Sequence, residues 1–439
     1  MKIRRIVSSA LFATLAALAS SSSLKAQIDT TTTTFEVNGL KVILRRNTSN
    51  DVIAANVYLL GGTQQLTPAT QGIEALLLNA SELGTKAFPH ESVRRVTAQL
   101  GSHIAVRPSE DWTMFGFTGI RSAFDSTWAV FADRLMAPAL DSSDVELVRA
   151  RMIAGIRQAD NSPDPIVNHL ADSLAYVGHP YSFSPEGTAS ALQSITLDAL
   201  RKYQASQMVT SRMLLVVVGN IERARLEPLV QKTLAQLPRG TYTWSPPHQP
   251  AKLGRALVVR EASLPTNYLL GYYPGPMARD PDYQVLRVAT AVLSGRFFTE
   301  IRSRRNLSYE VEAPFVDRAI SNGGVYVTTT DPNATLELMH AEIERLQREL
   351  IDPHGLERLV QQFITDFFLK NETNGDQATF LARAQIYQGD YRAANHFVDD
   401  LRRVRPEDVR RVARQYIHDF RFVYLGNPNS LSKALVAQF

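Results

Sequence analysis

Apolar residues recur with two different spacings along the chain. Leu40, Val42 and Leu44 stand at every second position, and a second run of this kind covers residues 52–58. This spacing predicts strands with one buried face, whereas apolar residues three and four positions apart predict helices. Both kinds of segment alternate along most of the sequence, which predicts an α+β fold.

The segment 72–83 is apolar on almost every side of a helix, and this pattern predicts a buried helix rather than an amphipathic surface helix. The remaining predicted elements have clearer faces. Further strands are predicted at 102–106, 112–118, 213–218, 256–260, 267–273, 308–315, 324–329 and 420–425. Further helices are predicted at 89–100, 122–136, 144–159, 163–177, 196–208, 222–237, 281–293 and 296–304, three between 334 and 387, and one at 406–416.

A proline-rich segment divides this series into two similar halves. Residues 238–250 contain four prolines, which can continue neither a helix nor a strand. In each half the last strand ends in Gly-Asn and a short final helix follows. The order predicts a duplicated domain, each copy a mixed, mostly antiparallel sheet with helices packed on one face. We place the domains at 27–240 and 255–439, with a linker at 241–254.

The first 26 residues have the features of a secretory leader. Lys2, Arg4 and Arg5 precede an apolar stretch over residues 10–19, and the small residue Ala26 ends the segment. The stretch is far shorter than the roughly 20 residues that span a bilayer, which argues against the alternative of a membrane anchor. The sequence therefore predicts a signal peptide over 1–26 and a periplasmic mature protein that begins at Gln27.

Composition excludes several classes of function. The chain has 47 basic and 43 acidic residues, and four of the basic residues lie in the leader, so the mature chain has 43 of each. A balanced charge argues against nucleic acid as a partner. The chain has no cysteine, which excludes disulfides, thiolate metal ligands, a cysteine nucleophile and a lipoprotein anchor.

Common catalytic motifs are also absent from the sequence. It contains no G-x-S-x-G, no P-loop and no G-x-G-x-x-G. Nine histidines are scattered, and none has another histidine three or four residues away, so no helix presents two of them on one face. A metal site assembled from distant histidines stays open at this point.

Four segments, in this order, resemble the insulinase/pitrilysin family, which includes the subunits of the mitochondrial processing peptidase and paired bacterial zinc peptidases. They are 72–85 (GIEALLLNASELGT), 178–188 (GHPYSFSPEGT), 216–220 (VVVGN) and 294–309 (SGRFFTEIRSRRNLSY). The resemblance implies the processing-peptidase-like metallohydrolase fold in both halves.

The family's zinc motif is not present in the first of these segments. Family members have H-x-x-E-H on one helix and a glutamate ligand on a later helix. The corresponding residues here are Ala75, Leu78, Asn79 and Gly155, and the resemblance implies that this chain binds no zinc. Leu78 is interpreted as a core residue that fills the former site, and Gly155 predicts close approach by a neighbouring helix. Ala105 replaces an asparagine that contacts substrate in the family.

The segment 294–309 keeps more of the family's pattern. An arginine and a tyrosine seven residues apart donate hydrogen bonds to substrate in the family, and this spacing falls on Arg302 and Tyr309. The alternative is that Tyr309 packs against a strand face while Arg302, Arg304 and Arg305 form a solvated cluster. The choice of Arg302 over the other two arginines rests on spacing alone.

The resemblance therefore implies a non-catalytic subunit of a heterodimeric periplasmic zinc peptidase. The expected partner is a homologous subunit with an intact H-x-x-E-H motif, which carries the zinc, while this chain holds no cofactor and contributes Arg302 and Tyr309. The expected ligand is an extended peptide that adds to a sheet edge. Two alternatives stay open, a free-standing periplasmic pseudopeptidase that binds peptides or acts as a scaffold, and a zinc hydrolase with relocated ligands.

Overall fold

Two six-stranded sheets organise the computed structural model, which describes residues 31–251 and 253–439. The predicted signal peptide lies outside the described residues. We call residues 31–251 the first half and residues 253–439 the second half. Among the residues that the structure describes, no helix is long and apolar enough to cross a membrane.

The first half contains six strands and eight helices. Its strands are β1 (Thr32–Val37), β2 (Leu40–Arg46), β3 (Val52–Leu60), β4 (His103–Pro108), β5 (Trp112–Ile120) and β6 (Met213–Gly219). Its helices are α1 (Ile73–Ala80), α2 (Ser92–Gln99), α3 (Phe124–Met136), α4 (Ser142–Ala159), α5 (Pro163–Ala175), α6 (Ala189–Ser194), α7 (Leu197–Gln207) and α8 (Arg223–Lys232).

The second half repeats most of these elements. Its strands are β7 (Ala256–Glu261), β8 (Asn267–Met277), β9 (Ser308–Glu312), β10 (Phe315–Val316), β11 (Ile320–Thr329) and β12 (Arg421–Gly426). Its helices are α9 (Asp282–Phe297), α10 (Pro332–Arg348), α11 (Pro353–Lys370), α12 (Asn374–Gln388), α13 (Phe397–Arg402), α14 (Pro406–Tyr416) and α15 (Lys433–Val436).

The two sheets share a core of four strands in the same order, β2-β6-β3-β5 in the first and β7-β12-β8-β11 in the second. The first has the order β1-β2-β6-β3-β5-β4, and the second has β7-β12-β8-β11, with β9 and β10 both paired to β11. One pair in each sheet is parallel, β2 with β6 and β7 with β12, and the other pairs are antiparallel. All seven residues of β6 are buried, as expected for an apolar strand in the interior of a sheet. The predicted duplicated α+β fold is confirmed.

Most helices of each half pack on one face of its own sheet, as predicted, and a helix from the other half covers the opposite face. Helix α5 of the first half packs on β8 and β12 of the second sheet, where Val167 and Ala171 join Leu270 and Val423 in one core. Helix α12 of the second half packs in the same way on β3 and β6. The halves thus exchange helices. Each sheet is apolar on both faces because each exchanged helix needs an apolar surface to pack against.

Buried ion pairs join the two halves where the exchanged helices meet the sheets. Arg318 donates to Glu110 and to Asp172 at 2.9 Å each. The Tyr387 hydroxyl donates to Asp111 at 2.6 Å. Burial raises the pKa of Glu110, although Arg318 opposes that effect. These bonds cross between the halves and fix their relative position.

A second buried group holds α12 against α9. Asp317, on the segment between β10 and β11, accepts hydrogen bonds from Arg287 at 2.7 Å and also from Tyr283 and Arg383. Burial raises the pKa of this carboxyl, but the two guanidiniums outweigh burial and hold the pKa well below its usual value.

The segment between Gln236 and Ala256 has no helix or strand over its described residues. Hydrogen bonds from side chains of the first half nevertheless hold it in place. His179 Nε2 donates to the carbonyl of His248 at 2.9 Å, and Gln64 Nε2 donates to the carbonyl of Ser245. Trp244 packs against the face of the first sheet that α12 covers. The G-H-P segment therefore helps to anchor the connection between the halves.

Several predicted bounds differ from the structure. The helices predicted at 281–293 and 296–304 are one continuous helix, since α9 runs directly into a π-helical segment at Phe298–Ser303. The strand predicted at 308–315 is divided into β9 and β10. Strand β1 and the short helices α6 and α13 were not predicted, because each has only six residues, too few to show a period.

Candidate functional site

Helix α1 contains three of the four degenerate zinc-site positions, and two of the resemblance segments meet at its start. Gly72 has φ +81°, and a Cβ atom there would lie 2.6 Å from the carbonyl oxygen of Glu186. The same Cβ atom would lie 2.7 Å from the Cα atom of Gly187. Only glycine fits this contact, which explains why both segments contain a glycine at the junction.

The side chains at the three degenerate positions of α1 offer no zinc-ligand set. Ala75 and Leu78 are each 1% exposed and lie in the core of the first half. Asn79 is half-buried, and its amide donates to the carbonyl of Ala75 at 2.8 Å. A methyl group, an isobutyl group and an amide bound to its own helix do not fit a zinc ion.

Gly155 lies on α4, which packs on α1, but its surroundings differ from the prediction. It is exposed, and a Cβ atom at this position would meet no atom within 4 Å. The predicted close approach of a neighbouring helix is therefore wrong. The space next to Gly155 is open, so no neighbouring side chain fills the position where family members have the glutamate ligand.

Two buried arginines hold α1 in place, and neither was expected from the sequence. Arg212 donates to Glu74 at 2.6 Å and to the carbonyl of Leu60 at 2.7 Å. Burial opposes the charge of Arg212, but Glu74 outweighs burial and raises its pKa. Arg134 donates to the carbonyl of Leu78 at 3.1 Å, at the C-terminal end of α1, and burial lowers its pKa to about 10. The only acidic side chain of α1 is thus held in a structural ion pair.

One group among the residues that the structure describes could hold a relocated metal ion. The group that brings three ligand atoms within 4.8 Å of one another consists of His90, Asp141 and Asp144, of which the first two are exposed. It lies at the start of α4 and includes only one histidine. It shares no residue with the degenerate positions, so it does not restore the family's ligand set.

Arg302 and Tyr309 are in contact in the second half. The guanidinium carbon of Arg302 lies 5.0 Å from the ring centre of Tyr309 and 5.1 Å from that of Phe298. Tyr309, on strand β9, is 82% exposed, and Phe298 is 47% exposed. Exposure on this scale excludes the alternative in which Tyr309 packs against a strand face. The sequence prediction had missed Phe298, although it stands one helical turn before Arg302.

The neighbouring arginines differ from Arg302 in their partners. Arg305 donates to Glu300 at 2.7 Å, and Arg304 pairs with the same carboxylate. The bond from Arg305 lowers the pKa of Glu300. Within the described residues, Arg302 has no carboxylate partner. Of the three arginines, it is the one whose donors are free for a ligand.

One edge of the first sheet is open to an added strand. Strand β4 lies at the end of the sheet order and pairs only with β5 among the described strands. Ala105, in the middle of β4, is half-buried, while His103 and Arg107 are exposed. Half of the backbone N–H and C=O groups of an edge strand lack a strand partner, which suits an extended peptide.

Comparison with known proteins finds two family matches. Residues 41–188 match the family described as "Insulinase (Peptidase family M16)", and residues 194–363 match the "Peptidase M16 inactive domain". Together they cover more than two thirds of the chain. The second description concerns mainly the second half, whereas the missing ligands described above lie in the first.

Similar proteins include peptidases and peptidase subunits. The chain is 21% identical to the "Uncharacterized zinc protease YmxG" of Bacillus subtilis, over 86% of this chain and 93% of that protein. It is 22% identical to the "Mitochondrial-processing peptidase subunit beta" of Blastocladiella emersonii, over 87% of this chain and 85% of that protein.

Solved structures share the fold. A protease from Helicobacter pylori superimposes with a TM-score of 0.83 at 19% identity, covering 90% of this chain and 99% of that chain. A peptidase M16 inactive domain from Pseudomonas fluorescens superimposes with a TM-score of 0.82 at 18% identity, covering 90% and 98%. At this level of identity the likeness shows the fold alone.

Proposed function

Because the chain belongs to the insulinase (M16) peptidase family and has no metal-binding side chain at the family's zinc positions, we propose that it is a non-catalytic subunit of a zinc peptidase. In this proposal it forms a periplasmic heterodimer with a homologous subunit that has an intact H-x-x-E-H motif. Zinc and the catalytic base belong to the partner. This chain completes the peptide-binding chamber.

The observation that carries the proposal is the state of α1. Ala75 and Leu78 are buried in the core, and Asn79 is bonded to its own helix. Catalytic zinc requires three protein ligands and a position for water. Helix α1 is thus packed in the core but carries neither the family's zinc ligands nor its catalytic base. This pattern is expected where a partner supplies the catalytic centre.

The relatives are consistent with a subunit. The protein from Blastocladiella emersonii is named as a subunit of a processing peptidase, and this chain aligns with 85% of its length. The folds agree over nine tenths of the chain for both structures described above. A chain of this size therefore has the dimensions of one member of such a pair.

In the proposal, the peptide lies along the open edge of β4 and is held mainly by backbone hydrogen bonds. Arg302 and Tyr309 donate hydrogen bonds toward the scissile carbonyl in the partner's zinc site. Guanidinium and phenol groups are both donors, and donors aimed at a developing oxyanion stabilise the transition state. The ring of Phe298 also contacts the guanidinium of Arg302.

The experiment that tests the proposal is purification of the tagged chain from periplasm under native conditions. We expect a homologous chain of similar length with H-x-x-E-H to co-purify in equal amount. Recovery of the chain alone or as a homodimer, in cells that express such a homologue, would favour a free-standing pseudopeptidase.

A further inference from the structure

A cavity of about 510 Å³ lies between α9, α10 and α11 in the second half. In the order of elements these helices correspond to α1, α3 and α4 of the first half. In the first half apolar side chains fill the space around α1. The space in the second half is open, and its size is in the range of small-ligand sites.

The inner wall of the cavity contains charged groups without hydrogen bonds. Arg296 Nη1 and Glu342 Oε2 are both buried and lack a partner at hydrogen-bond distance, although they stand 3.7 Å apart. Burial lowers the pKa of Arg296 despite the nearby carboxylate. The two unbonded atoms face each other as a long ion pair, so the other N–H groups of Arg296 are the donors that a ligand could use.

The balance of charge around the cavity is positive. Glu300 is paired with two arginines outside the cavity, and Arg345 donates to Glu349 at 2.9 Å. Arg358, at the rim, has no carboxylate partner among the residues that the structure describes. Arg296, Arg358 and the Glu342 carboxylate remain, with a net charge of about one positive, and both arginines have N–H donors beyond those in these pairs.

The rest of the wall is apolar. Val292, Ile351 and Leu359 are half-buried and line the cavity next to the charged groups. Gly295 also lines it, and a Cβ atom there would meet no atom within 4 Å. A ligand that fits these walls has one anionic group and a short apolar body.

We propose that this cavity binds a carboxylate with an apolar body, the carboxylate between Arg296 and Arg358 and the body against Val292, Ile351 and Leu359. The C-terminal end of a short apolar peptide and a medium-chain fatty acid share this chemistry. The proposal does not depend on the subunit function argued above, because it uses neither Arg302, Tyr309 nor any residue of α1.

Isothermal titration of the full mature chain tests the proposal with three probes: acetyl-Leu-Leu with a free carboxylate, its C-terminal amide, and octanoate. We expect saturable binding of at least one acid, and about 10- to 100-fold weaker binding of the amide if the peptide acid is the ligand. Tighter binding of the peptide acid than of octanoate identifies a peptide terminus, and the reverse order identifies a fatty acid.

Variants locate the site. Gly295→Leu places a side chain in the open space without touching a charged group, and it is expected to abolish binding. Arg296→Met is expected to weaken acid binding by about 10-fold or more. Arg348→Met is the matched control, because Arg348 lies on α10 outside the cavity and pairs with Glu344 at the surface. Absence of saturable binding by both acids would overturn the proposal. Equal binding by wild type and Gly295→Leu would also overturn it, because the ligand would then bind outside this cavity.

Discussion

The guanidinium of Arg302 stacks on the ring of Tyr309, with 5.0 Å between the guanidinium carbon and the ring centre. The stack leaves the Tyr309 hydroxyl exposed and keeps Arg302 apart from the Glu300 pairs that engage Arg304 and Arg305. Two donors therefore stand together at the surface of the second half, free to bind a ligand.

If these donors act on the transition state, Tyr309→Phe should lower kcat of the heterodimer about 10- to 1,000-fold, as does loss of one oxyanion donor. The ring and its contact with Arg302 remain in this variant. Arg302→Ala should lower kcat at least as much. Steady-state kinetics of the purified complex measure both effects, with complex formation and zinc content unchanged.

Arg304→Ala is the control for this prediction, because Arg304 is exposed and its partner Glu300 retains Arg305. Its effect on kcat should be small. Full kcat and KM in Tyr309→Phe would show that the hydroxyl has no role. A rise in KM alone would show that the pair binds substrate and transition state equally.

The Arg212–Glu74 pair predicts a large effect on stability. Arg212→Met leaves the Glu74 carboxylate buried without its ion partner, which costs about 3 to 5 kcal/mol of unfolding free energy. The double variant Arg212→Met/Glu74→Leu removes both charges and should be more stable than the single variant. Urea unfolding compares them. Equal stability of the single variant and wild type would show that the pair does not anchor α1.

Asp317 predicts a pH-dependent contribution to stability. Its pKa is depressed in the folded state, so its contribution is fully present above the unfolded pKa of about 3.9 and is lost as pH falls toward the folded pKa. Asp317→Asn should lower the free energy of unfolding by about 3 kcal/mol at pH 7. This difference from wild type should shrink by about 1 kcal/mol between pH 5 and pH 3. A difference that stays constant over this range would contradict the assigned pKa direction.

The leader gives a prediction about processing. Cleavage after Ala26 should give a mature chain that begins at Gln27, because a short apolar stretch precedes a small residue. Expression of the full chain, fractionation and N-terminal sequencing test this. Recovery of the uncut chain with the membrane fraction would contradict the periplasmic assignment.

Local patterns predicted the sheets well, and contacts between distant residues explain what they missed. Strand β6 could be predicted because it is a continuous apolar run. Helix α14 could be predicted because Pro406 begins a clearly amphipathic helix. The exchange of α5 and α12 between the halves could not be predicted, because it depends on which apolar sheet face each helix packs against. No sequence pattern marks that choice.

For the candidate site, too, some features could be predicted from the sequence and others depend on the tertiary structure. The loss of the zinc ligands and the spacing of Arg302 and Tyr309 are visible in the sequence. The inference about Gly155 was wrong because a glycine within a helix is compatible with close packing and with open space alike, and only the tertiary structure distinguishes them. Phe298 and the Glu300 pairs appear only when the π-helical segment brings them around Arg302.

The most direct test of the central claim is metal content and peptidase activity measured on this chain alone, on the H-x-x-E-H homologue alone, and on their mixture. We expect no stoichiometric zinc and no cleavage with this chain alone, zinc in the homologue, and chelator-sensitive cleavage that is strongest in the mixture. Stoichiometric zinc with chelator-sensitive cleavage by this chain alone would contradict the claim that it is a non-catalytic subunit.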